Sequence, residues 1–119
     1  HTMTIAVTYD AGTCDVFQHF GRCTGFKIYE VEGKDVKDSS VVANGGFSHH
    51  GLATYLKELG VDTLILGNRG QGAIDALKNA GISEVPGVTG NSDKAVESFL
   101  KGTLVFNPDA KCDHSHHHH

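Results

Sequence analysis

The second half of this chain repeats one unit: an apolar strand, a Gly-x-x-Gly loop, an amphipathic helix and a glycine stop. The copies start at Thr63 and Glu84. In the first, Val61 to Leu66 carries no charge after Asp62, and Gly67-Asn68-Arg69-Gly70 follows. Ala73, Ile74, Leu77 and Ala80 then form a helical stripe that Gly81 ends. In the second, Ile82 to Val85 is the strand and Gly87-Val88-Thr89-Gly90 the loop. Asn91 or Ser92 caps a helix whose apolar side is Ala95, Val96, Phe99 and Leu100, and Gly102 stops it. Strands alternating with helices through short loops require a parallel sheet with right-handed crossovers. Two copies are too few for a solenoid.

The first half adds antiparallel strands. Thr4 to Thr8 reads as a buried, β-branched strand. Phe26 to Val31 alternates, with Phe26, Ile28 and Glu30 on one face and Lys27, Tyr29 and Val31 on the other. A turn at Glu32 to Asp35 leads into Val36 to Val42, which completes a hairpin. Leu52, Tyr55, Leu56 and Leu59 then fall at helical spacing before Gly60. The sum is an α/β architecture, a mixed five-stranded sheet flanked by three helices. It is expected as one domain over residues 3–106, with a flexible Cys/His-rich tail at 107–119.

Both ends have the look of processing. His1-Thr2 ahead of Met3 resembles a tag scar, which makes Met3 the expected natural start. The tail, from Cys112 and His114 to His119, reads either as a purification tag or as a metal-binding tract. No apolar run approaches a membrane span, and no secretory signal is evident, so a cytoplasmic protein is expected. The formal charge of −4, from 10 basic and 14 acidic residues, opposes a general nucleic-acid binder. Three cysteines in 119 residues suit a reducing compartment, with metal or redox chemistry rather than a disulfide framework.

Ligands of open α/β sheets sit outside the carboxyl ends of the strands, near a change in strand order. The segments expected there are residues 9–22, 44–51, 67–72 and 87–91. Three of them feed helix amino termini, whose free N–H groups favour an anion. Both arginines of the chain, Arg22 and Arg69, fall at this edge. So do His19, His49, His50, Cys14 and Cys23, all competent metal ligands. No Cys-x-x-Cys pair marks a closed zinc site. For each of these residues a plain loop or core role competes with a ligand role.

Phe17 to Val31 reads F-x-H-F-G-R-C-x-x-F-x-I-Y-E-V. Gly45-Gly46 with His50-Gly51, L-I-L-G-N-x-G-x-x-A, G-x-x-G and A-V-x-x-F-L-x-G-x-L follow. This pattern resembles the dinitrogenase iron–molybdenum cofactor biosynthesis family, of the NifX, NafY and NifB-carboxyl-end type, which includes the orange protein. The resemblance runs from Thr4 to Leu104 and implies a ribonuclease H-like fold. It implies binding rather than turnover, so no enzyme is expected. The cargo would be an anionic metal–sulfur cluster of Fe–Mo–S, Mo–Cu–S or Fe–S type. The binding residues would be His19, Gly21, Arg22, Cys23, Gly46, His49, His50, Gly67, Asn68, Arg69, Gly70, Gly87 and Gly90. Direct metal bonds would come from His19, Cys23, His49, His50, Cys112 or His114. Cys14 has no evident family counterpart. A cluster donor or acceptor protein is the expected partner, and the chain itself a monomer or weak homodimer.

Other readings compete. One is a metal chaperone or sensor acting through the Cys/His tail. Another is a small enzyme using Cys23 with His19 or His49. A two-metal nuclease would need converging carboxylates, and only Asp10, Glu30 and Asp62 are candidates.

Overall fold

The computed structural model describes residues 2–10, 12–17, 25–43, 49–68 and 71–104. The strands are β1 (Thr2–Asp10), β2 (Asp15–Val16), β3 (Gly25–Glu32), β4 (Asp35–Ala43), β5 (Thr63–Ile65) and β6 (Ser83–Val85). The helices are α1 (His49–Glu58), α2 (Gln71–Ala80) and α3 (Ser92–Lys101). The sheet runs β4-β3-β1-β5-β6, with β2 attached to β1. β1 pairs antiparallel with β3 and parallel with β5; β3–β4 is antiparallel and β5–β6 parallel. The mixed sheet and three helices therefore form as the sequence implies. The expected strand count is corrected from five to six. The sixth, β2, is two residues long and exists through its pairing of Tyr9 with Val16 and Asp10 with Asp15, so no local periodicity marks it.

Alternation along β3 distributes the core over both faces of the sheet. Phe26 and Ile28 join Leu52, Leu56, Leu64, Leu66, Ala73 and Leu77 in the layer under α1 and α2. Tyr29 and Val31 join Ile5, Val7, Ile65, Val88, Ala95 and Val96 in the layer under α3. Both faces of β1 and β5 are thus buried, which is why these strands read as near-continuous apolar runs.

Capping fixes the last helix. Asn91 has extended backbone, and its side-chain oxygen accepts from the Lys94 amide at 3.0 Å. Gly102 closes the helix at φ +76°, a left-handed conformation where a Cβ would be strained. Asn91→Ala is expected to cost about 1 kcal/mol, read from the urea midpoint. A midpoint equal to wild type would show the cap to be idle.

At the amino edge of the sheet, Asp62 ties the strands together. Its carboxylate accepts from the Thr4 amide at 3.0 Å, its own amide donates to the Thr4 carbonyl, and its carbonyl accepts from the Ser83 amide.

Candidate functional site at the carboxyl edge

The chain leaves β1 to build β3 and β4 on one side, then returns through α1 to build β5 and β6 on the other. The change of direction falls between β1 and β5, and the carboxyl ends of both lie at one edge. Gly25 and Ala43 reach the same edge, since Gly25 pairs with Tyr9 and with Ala43. This is the position at which doubly wound sheets place ligands.

Backbone hydrogen bonds draw three of the four anticipated loops into one rim. The Gly87 amide donates to the Gly67 carbonyl at 2.8 Å, and the Val88 amide to the Leu66 carbonyl at 3.1 Å. The exits of β5 and β6 therefore lie side by side. The Val16 amide donates to the Gly90 carbonyl at 2.8 Å, and the Ser92 amide to the Cys14 carbonyl at 3.0 Å. Asp15 and Asn91 bridge there as well. So the turn after β1 is bonded to the start of α3. Gly87 and Gly90 sit at φ +75° and +92°, which favours glycine and explains the Gly-x-x-Gly spacing. In the turn, the Asp10 carboxylate accepts from the Gly12 amide at 2.9 Å, and the Asp10 carbonyl accepts from Thr13 and Cys14.

Of the sequence-predicted residues, the structure brings Gly67, Asn68, Gly87 and Gly90 to this rim. Gly67 is buried and Asn68 half-buried. His49 and His50 open α1, with their backbone alone described. His19, Gly21, Arg22, Cys23, Gly46, Arg69, Gly70, Cys112 and His114 lie outside the described residues. Among the described residues no three His, Cys, Asp or Glu side chains converge to hold a metal ion. The amides of Gly12, Cys14, Val16, Gly87, Val88 and Ser92 are spent within the rim, and what the rim sets beside one another are the starts of α2 and α3, whose dipoles favour an anion. The three carboxylates of the nuclease reading are dispersed. Asp10 is at the carboxyl edge, Asp62 at the amino edge, and the Glu30 carboxylate accepts from the Thr4 hydroxyl at 3.0 Å.

Sequence reasoning missed a polar cluster on the α3 face beside this rim. The Lys27 ammonium lies 5.5 Å from the Tyr9 ring centre and 5.4 Å from that of Tyr29. It pairs with the Asp93 carboxylate at 2.8 Å. The Tyr29 hydroxyl donates to the same carboxylate at 2.5 Å and lies 3.0 Å from the Ser92 hydroxyl. Burial, and then the hydrogen bond to Asp93, push Tyr29 far above the usual phenol range. Tyr9 is also raised, first by its hydrogen bond with the Cys14 side chain and then by burial. Cys14 is an exposed free thiol at φ +62°. Alternation places Tyr29 on the inner face, but Asp93 is 64 residues away and only the fold joins them.

The Lys27 and Tyr29 hydrogen bonds hold Asp93 below the ordinary carboxylate range. A depressed folded pKa adds stability that is full above the unfolded value of about 4 and is lost as pH falls through the folded value. The Asp93 side chain is 63% exposed, so the contribution is expected below about 1 kcal/mol. Melting curves from pH 6 to about pH 2 should fall less steeply for Asp93→Asn than for wild type. Parallel curves would remove Asp93 from the acid limb.

Among the described residues, no helix is long and apolar enough to cross a membrane. The family model for dinitrogenase iron-molybdenum cofactor proteins matches residues 2–102. The chain is 32% identical over 91 residues to the uncharacterized protein MJ0580 of Methanocaldococcus jannaschii, covering 72% of this chain and 77% of that one. The crystal structure of PH0822 superposes with a TM-score of 0.82 at 31% identity, covering 90% of this chain and 98% of that one. The apo form of the orange protein from Desulfovibrio gigas superposes at 0.77 with 29% identity, covering 93% and 98%. With the strand order, the rim and the match along almost the whole described chain in agreement, this protein belongs to the dinitrogenase iron-molybdenum cofactor family.

Proposed function

We propose that this protein binds or carries an anionic metal–sulfur cluster at the carboxyl rim, as cargo for a donor or acceptor protein and without turnover. The observation that carries this reading is the rim itself. The turn after β1, the exits of β5 and β6 and the start of α3 are hydrogen-bonded into one glycine-lined edge at the switch in strand order. Such an edge gathers helix starts, and among the described residues it holds no closed set of metal-binding side chains, which suits a polarizable polyanion such as a thiometallate. In this reading Arg22 and Arg69 neutralise the charge. His19, His49, His50 and Cys23 are donors of the right softness for iron or copper. The family and the apo state of the orange protein support a cluster-handling role; the molybdenum, iron or copper content is the proposed part.

Amide chemical shifts recorded while thiomolybdate is added with copper or iron test the reading. Changes should concentrate in residues 10–25, 44–52, 67–73 and 87–92. Changes confined to the outer helix faces, or to residues 112–119, would overturn it. The second pattern would instead favour a chaperone working through the tail.

A further inference from the structure

Among the described residues, strand β4 forms one edge of the sheet and pairs only with β3. It is nine residues long, and its residues 35–41 are all exposed. Two of the exposed large apolar side chains of the described residues are on it, Val36 at 44% and Val41 at 54%. The third, Leu59, follows α1. In a regular strand, residues five apart point to opposite faces. Here the register shifts: Glu30 pairs with Asp38 but Val31 with Val36, so Lys37 is the extra residue of a bulge. Val41 pairs with Lys27 and Val36 with Val31, and both valines therefore stand on the α3 face.

We infer that β4 pairs antiparallel with β4 of a second copy of this chain, about a two-fold axis through Ser39. Such an axis is perpendicular to the sheet, so opposed residues must share a face. Placing the axis at Ser39 sets Ser39 against Ser39 and Asp38 against Ser40. With Lys37 absorbed in the bulge, Val36 then meets Val41 in both halves. Every opposed pair shares a face, and the bulge is what sets Val36, rather than Lys37, against Val41. Moving the axis one residue to Asp38 would oppose two carboxylates directly, which is destabilising. Moving it to Ser40 would oppose Val41 to Ser39 and Val36 to Ala43, so that no valine meets a valine. The complementarity is thus specific to one register. The two Asp38 carboxylates become diagonal neighbours in it, so the pairing is weak and strengthens with salt. A groove of about 520 Å³ between α3 and the β3–β4 hairpin, lined by Val36, Ser39, Tyr29 and Leu100, runs alongside this edge. This inference stands apart from the cluster reading, since β4 meets the rim only at Ala43.

Sedimentation of the full chain from about 10 μM to about 1 mM spans the range of a weak interface. It should show a monomer–dimer equilibrium. Val36→Arg and Val41→Glu alone should each weaken dimerisation at least about tenfold. An equimolar mixture of the two should recover association, because the register puts positions 36 and 41 opposite each other. Ser39→Cys, oxidised with glutathione disulfide, should link two chains through position 39, since directly opposed strand residues lie within disulfide reach. Asp38→Cys should link far less. A monomer at every concentration would overturn the proposal and make the bulge and charges of β4 a guard against edge pairing. Dimerisation that both single variants leave unchanged would overturn it too. So would a chain ending at Leu104 that dimerises when the full chain does not, because residues 105–119 would then be the occupant of the edge.

Discussion

Phe26→Ala is expected to lower the free energy of unfolding by about 3–5 kcal/mol. Phe26 is completely buried and is among the largest fully buried side chains described. It stands on β3 between Thr8 of β1 and Val42 of β4, and it faces the layer that holds Leu52 and Leu56 of α1. Truncating it opens a cavity that three elements anchored by their own pairings cannot close. A domain of this size has roughly 5–15 kcal/mol in total, so much of the margin would go. The melting temperature should fall by roughly 10–30 °C. A loss below about 1 kcal/mol would mean that the α1 layer relaxes into the space. Phe26 also follows Gly25, the first residue of β3, at the rim, so this variant should loosen the rim as well as the core. Hydrogen exchange at Gly25 and Ala43 would report that.

Arg22→Ala should weaken retention of a metal–sulfur cluster by about 10- to 150-fold. That range is a charge-assisted hydrogen bond of roughly 1.5–3 kcal/mol converted to affinity. Arg22 lies outside the described residues. The sequence sets it three residues ahead of Gly25, which pairs with both Tyr9 and Ala43 at the carboxyl edge. Its guanidinium is permanently charged and can present a fork to sulfide or oxide groups. Arg22→Lys should restore only part of the loss, because a point charge replaces the fork. In the competing view Arg22 makes an exposed ion pair with Asp15 or Glu30, worth about 0–1 kcal/mol and screened by salt. Cluster retention for wild type and both variants at two salt concentrations separates the two views. Equal retention in all three would remove Arg22 from the site.

Burial of Gly67 changes one expectation about the rim. From sequence alone, Gly67→Val is expected to weaken binding more than it lowers stability. Gly67 is buried, and its carbonyl accepts from Gly87. An isopropyl group there overpacks the junction of β5 and β6, at a typical cost of about 1–3 kcal/mol. Binding measured on that variant must therefore be normalised to its folded fraction.

The sequence by itself determined the elements and their faces. Apolar runs at β1 and β5, alternation along Phe26 to Val31, helical stripes and glycine stops are local signals, because each is written within a few residues by the 2.0 and 3.6 periods of strand and helix. It also determined that glycine-rich turns follow the parallel strands, and the observed φ of Gly87 and Gly90 gives the steric reason. The H-F-G-R and L-G-N-x-G segments carried the family. What only the tertiary structure decided depends on residues far apart in the chain. β2 exists because Tyr9 and Asp10 carry β1 past the end of its pairing with β5, and because Gly90 and Ser92 hold Cys14 and Val16 there. Lys27, Tyr29 and Asp93 meet only once α3 has crossed the sheet. The bulge at Lys37, which turns two valines to one face of β4, comes from the register between β3 and β4. Pairing register and long-range polar contacts are fixed by the energy of the assembled sheet, so no window of sequence contains them.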